Sequence, residues 1–165
     1  MTTKEGEPMT TDIELPEDKR AAWGDGPWAD EPDRIEFEAH GLPCLMQRVA
    51  PSGAWCGYVA VSPGHPLHGA GYDSANTRDV FVHGGLTYAS ACRDTICHVP
   101  KQGEPDDVWW FGFDCAHCDD FMPGLAALLK LQRQDIFGGD AVYRDANYVR
   151  DQCVDLALQL RAFKP

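Results

Sequence analysis

Val108-Trp109-Trp110-Phe111-Gly112-Phe113-Asp114-Cys115-Ala116-His117-Cys118-Asp119-Asp120 is the stretch that decides how this chain folds. Its first half is an aromatic run too apolar to lie anywhere but in a core. Its second half places one His, two Cys and three Asp within seven residues. An apolar strand that empties into such a loop can present a site, because the strand fixes the backbone and the loop carries the chemistry. It is equally how a plain strand meets solvent, with Asp114 and His117 bonded to loop backbone.

Upstream, Ile35-Glu36-Phe37-Glu38 alternates apolar and acidic residues, the period of a half-buried strand. Residues 44–49 and 54–61 read as two more strands around a turn at Pro51-Ser52-Gly53, so an antiparallel meander is expected. Residues 79–83 and 86–91 flank Gly84-Gly85, which predicts a two-residue hairpin, because primed turns need positive φ. The other use of paired glycines is to let a ligand approach the backbone closely. Between these runs, residues 62–78 form a long connection carrying His65 and His68, and such loops are often functional.

Downstream, residues 125–131 read as a short helix or structured apolar segment, broken at Phe137-Gly138-Gly139-Asp140. The last element is the clearest. Asp145 suits an N-cap, and Val149, Cys153, Leu156, Leu160 and Phe163 repeat at 4-3-4-3 spacing, the apolar stripe of a helix. Arg150, Asp151, Gln159 and Arg161 fall off that stripe. Strands come first and helices last, which predicts an α+β fold over residues 34–165: one domain, an antiparallel sheet packed by a C-terminal amphipathic helix.

Residues 1–33 read as an acidic, mostly irregular arm. They hold ten acidic and three basic residues, a net of −7 out of −12 for the whole chain. Trp23 and Trp28 stand out there, as rings that pin the arm onto the body or as an interaction motif. The charge argues against direct nucleic-acid binding, which needs a basic patch, and suits a basic host-protein surface as partner. No apolar run reaches the roughly 18 residues of a membrane helix, and no signal-peptide pattern opens the chain, so a cytoplasmic protein is expected. An odd count of seven Cys argues for reduced thiols or metal ligands over a disulfide framework.

Three constellations carry chemistry on paper. Cys92, Cys97, Cys115 and Cys118 form a four-thiolate zinc site if the C-x2-C pair folds against the upstream pair, although zinc ribbons usually show two C-x2-C knuckles. His83, Asp114 and His117 form a mixed site if the two strand ends they close are neighbours. Two imidazoles and a carboxylate then leave an open position for water on a divalent metal, zinc or similar, with Asp119 or Asp120 as outer partner or general base. Without a metal, Cys115 or Cys118 becomes a nucleophile served by His83 or His117. Asp114, Asp119 and Asp120 are thus the catalytic carboxylates to follow. There is no P-loop, G-x-G-x-x-G, G-x-S-x-G or H-E-x-x-H.

Gly57-Tyr58-Val59, Gly64-His65-Pro66, His83-Gly84-Gly85-Leu86-Thr87-Tyr88, the run from Trp109 to His117, and Tyr143-Arg144-Asp145 together resemble a family of small uncharacterised proteins encoded by bacteriophages and prophages. The resemblance covers roughly residues 34–162. It implies a single domain and a bacterial host cell as the setting, and it brings no activity with it.

Three functions follow as expectations. One is a small hydrolase-like metal site at His83, Asp114 and His117. Another is a phage accessory protein that binds and modulates a host protein. The third is a small-ligand module using His65, His68 and Tyr88 over the same sheet end.

Overall fold

In the computed structural model residues 14–132 and 140–164 are described. The proposed break at 137–139 and residues 1–13 of the acidic arm lie outside them. The alternating run becomes β1 (Arg34–Ala39), and β2 (Leu42–Val49) and β3 (Ala54–Val61) follow it antiparallel. The β1–β2 turn is His40-Gly41, both at positive φ, as a two-residue hairpin of this hand requires. The aromatic stretch is β5 (Trp109–Asp114), which lies between β3 and β4 (Tyr88–Ala91) and is antiparallel to both. The five-stranded sheet therefore runs β1-β2-β3-β5-β4.

Both faces of the sheet are covered. Helix α3 (Ala146–Ala162) lies across one, with Val149, Cys153, Leu156 and Leu160 packed on Cys44, Met46, Val59, Phe111 and Phe113. Its cap is the one expected: the Asp145 side chain accepts from Tyr148 N at 2.8 Å. At Gly57 helix and sheet come too close for a side chain, since a Cβ there would meet the Phe113 ring at 2.5 Å and Cys153 Sγ at 2.6 Å. The opposite face carries Leu45, Tyr58, Ala60 and Trp110 beneath Tyr88, Cys92 and Ile96. The chain is thus a single α+β domain with its C-terminal helix on the sheet. Among the described residues no helix is long and apolar enough to cross a membrane.

Two expectations need correction. No hairpin forms at Gly84-Gly85, because residues 79–83 are not a strand. Helix side chains bond the backbone of Phe81 and His83 instead, and local turns that of Val80 and Val82. Gln159 accepts from Phe81 N at 2.8 Å and donates to its carbonyl, and Gln152 accepts from His83 N at 2.8 Å. Gln159 is therefore a clamp on that segment, not a free solvent-facing residue. Second, Cys92 and Cys97 are joined in a disulfide, so the thiols are not all reduced. The described part of the arm carries two short helical turns. Helix α1 (Lys19–Trp23) and a 3-10 turn (Pro27–Ala29) lead to Trp28, which is buried against Phe121 and Tyr143 at ring distances of 5.7 and 5.1 Å. Trp28 is an internal anchor and cannot also be presented to a partner.

Candidate metal centre

Beyond β5 the chain turns through Cys115–Asp120, and the backbone of Asp119 and Phe121 bonds with Val142. That bridge lays Tyr143-Arg144 beside Asp120. From the other side, the clamped segment 81–83 brings His83 over the start of α3. The result is a cluster of His83, His117 and Asp120, whose candidate ligand atoms all lie within 4.8 Å of one another. Asp120 is fully buried. Its Oδ2 accepts from His83 Nε2 at 2.9 Å, from His117 Nδ1 at 3.1 Å and from the His117 backbone N–H at 3.0 Å. Arg144 Nε donates to Oδ1 at 2.9 Å. Arg144 also lies over the Tyr148 ring, 4.9 Å from its centroid, and the Tyr148 hydroxyl is 2.7 Å from His83 Nδ1.

Burial by itself would raise the Asp120 carboxyl, but the hydrogen bonds from His83, the His117 amide, Arg144 and the His117 ring outweigh it and hold it down at about 2. A carboxyl lowered in the folded state stabilises the fold above its unfolded pKa and loses that contribution as pH falls through the folded value. Stability is expected to drop by about 2 kcal/mol between pH 5 and pH 2 on account of this one group. Urea denaturation across that range, compared with Asp120→Asn, reads the difference; equal slopes for the two proteins would reject it.

Gly84 admits His117 to this cluster. Its φ is +67°, and a Cβ on it would stand 2.1 Å from His117 Cε1 and 2.4 Å from Nε2. The close approach at Gly84 is thus by an imidazole of the chain itself, while nothing lies within 4 Å of a Cβ built on Gly85.

Of the residues expected at the site, His83 and His117 meet, and Asp114 is displaced by Asp120. Asp114 Oδ1 is 3.9 Å from His117 Nε2, while its oxygens accept from Thr87 Oγ1 and Ala116 N. Asp119 is mostly exposed and makes a 3.8 Å contact with Arg144. The four-thiolate site is excluded by the Cys92–Cys97 disulfide, and Cys115 is buried. Burial raises the Cys115 thiol well above its ordinary range, with the Asp120 and Asp114 charges adding to it, so it is no thiolate nucleophile.

The small-ligand constellation also separates. His65 Nε2 bonds the Leu160 carbonyl at 2.7 Å, and its Nδ1 accepts from Leu67 N. His68 bonds the Asp107 carbonyl at 2.7 Å. Both fasten the long loop to the body. Leu160 lies twelve residues beyond Tyr148 in the helix, about 18 Å away at the usual rise. Tyr88 packs edge-on to Tyr58 on the other face of the sheet. His65, His68 and Tyr88 therefore share no pocket at the His83 end.

No protein-family model, curated protein or solved structure matches this chain. The chemistry of the site rests on its own geometry.

Proposed function

We propose that this protein is a small metal-dependent enzyme of the hydrolytic type, with a divalent cation such as zinc held by His83 Nε2, His117 Nδ1 and Asp120 Oδ2. The observation that carries this reading is the convergence, within 4.8 Å, of the His83 imidazole from one segment with the His117 imidazole and Asp120 carboxylate of the loop after β5. Metal bonds near 2.1 Å set tetrahedral ligand atoms about 3.4 Å apart. The present separations of 2.9 and 3.1 Å from Asp120 to the two rings need a small opening to reach that, and the two imidazole nitrogens, within 4.8 Å of each other, a closing. Arg144 occupies Oδ1 and so leaves Oδ2 to face the rings. Three protein ligands leave a fourth position for water, and a metal there supplies a hydroxide at neutral pH. The resemblance to phage-encoded proteins supplies a setting for such an enzyme but no substrate.

The test is metal analysis of protein purified without an affinity tag, followed by titration with zinc, manganese and iron. About one ion per chain is expected, and binding is lost in Asp120→Asn. Protein that purifies without metal and takes up none of the three would reject the proposal. The same atoms would then be a structural node that ties segment 81–84 to the loop after β5.

A further inference from the structure

We propose that Tyr148 and Asp114 are the outer positioning residues of this centre, each holding one imidazole by the nitrogen that faces away from Asp120; the proposal rests on the metal reading above. Asp120 is an ionised carboxylate and can only accept. The nitrogens that face it, His83 Nε2 at 2.9 Å and His117 Nδ1 at 3.1 Å, must therefore carry protons when no metal is bound. Coordination needs lone pairs on those same two nitrogens. Each ring then has to carry its proton on the opposite nitrogen: Nδ1 of His83 and Nε2 of His117.

Suitable partners already face both positions. The Tyr148 hydroxyl stands 2.7 Å from His83 Nδ1. A phenol both donates and accepts, so this hydrogen bond reverses its direction on metal binding while the heavy atoms stay in place. Asp114 Oδ1 stands 3.9 Å from His117 Nε2. A carboxylate accepts only, and about 1 Å of ring movement brings the pair to hydrogen-bonding distance. Asp114 is fixed for this by Thr87 Oγ1 at 2.9 Å and Ala116 N at 3.1 Å. The protons balance: each ring gives one to solvent from its near nitrogen and takes one from solvent at its far nitrogen. Second partners of this kind fix ring orientation and tautomer at metal centres. The expected Asp114 thus returns to the site, behind His117 rather than on the ion.

Zinc competition against a chromophoric chelator on the full chain, with Tyr148→Phe and Asp114→Asn, tests the assignment. Each variant is expected to bind zinc about 10- to 100-fold more weakly than the wild type with unchanged stoichiometry. The readout that a merely structural role leaves unmoved is the His83 Nδ1–H signal of the zinc-loaded protein in NMR of histidine-labelled chains, protected from exchange in wild type and lost to exchange in Tyr148→Phe. The His83 proton is expected on Nε2 without zinc and on Nδ1 with it. Wild type that binds no zinc overturns the metal reading itself, and this inference with it. Wild type that binds zinc while both variants bind within about threefold of it overturns the outer-partner assignment alone. So does a His83 that keeps its proton on Nε2 in the zinc-loaded protein, a measurement that needs no variant to fold.

Discussion

Replacing Glu31 with Ala lowers the stability of the fold by about 3–5 kcal/mol, read from urea denaturation at neutral pH. Glu31 is the centre of a second buried polar knot, joined to the Asp120 cluster through the consecutive residues Tyr143 and Arg144. Its carboxylate accepts from Arg48 Nη2 at 2.6 Å, Trp55 Nε1 at 3.2 Å, the Tyr143 hydroxyl, and the backbone N–H of Ala146 at 2.9 Å. Ala146 opens α3, so the same carboxylate meets the positive end of the helix dipole. The Arg48 side chain has no exposed surface and stacks on Trp55 at 4.4 Å. Burial opposes ionisation of Glu31, but the bonds from Tyr143, Ala146, Trp55 and Arg48 prevail and hold it below the usual carboxylate range.

A buried pair of this kind need not stabilise the fold relative to an apolar pair of the same shape, because desolvation offsets most of the attraction. Removing one partner is a different matter. The Ala variant leaves Arg48 buried with Asp33, at 3.1 Å and partly exposed, and the Gly53 carbonyl. Trp55, Tyr143 and Ala146 each lose an acceptor. Glu31→Gln keeps one oxygen for those donors while losing the charge, and is expected to cost less than the Ala change. A loss below about 1 kcal/mol for Glu31→Ala would show that the segment ahead of β1 does not hold the start of α3. That magnitude is no more than a surface pair contributes.

Periodicity explains why most of the fold was legible and part of the site was not. Strand β1 announces itself by alternation and helix α3 by its stripe, while β2, β3 and β5 do so as apolar, β-prone runs buried on both faces, and Asp145 caps where a cap was expected. Residues 79–83 look like a strand because they are apolar and β-prone. What bonds the backbone of Phe81 and His83 is a pair of glutamines one heptad apart on α3, distant in sequence and carrying no strand signal. The knot around Glu31 was hidden for a similar reason: an acidic residue in an acidic arm looks solvated until the buried Arg48 meets it.

Asp114 is more instructive, since the sequence held the information that moves it out of the His83–His117–Asp120 cluster. Side chains alternate along a strand. Phe111 and Phe113 face α3, where His83 is held, so Asp114 leaves the sheet on the opposite side, opposite Cys56 in the neighbouring strand. Asp120 has no such periodicity to betray it. Its position follows from a backbone bridge to Val142, a contact that only the folded chain reveals.

Gly84→Ala is expected to destabilise the protein by about 2–4 kcal/mol and to remove metal binding together with it. Two separate costs act at this residue. A φ of +67° is costly for any residue with a Cβ, by about 1–2 kcal/mol. The added methyl would also overlap the His117 ring, with contacts of 2.1, 2.4 and 2.8 Å to three of its atoms. The ring is about one-third exposed and can swing outward. Doing so breaks its bond to the buried Asp120, and a hydrogen bond to a charged group contributes about 1.5–3 kcal/mol. Either the backbone moves or His117 Nδ1 leaves the cluster, and zinc affinity falls in both cases. A double-mutant cycle separates the two costs. With His117→Ala already in place the ring is gone, so adding Gly84→Ala should cost only the backbone part, about 1–2 kcal/mol. If Gly84→Ala costs the same in both backgrounds, the imidazole does not rest on the Gly84 backbone, and Gly84 is there for its turn alone.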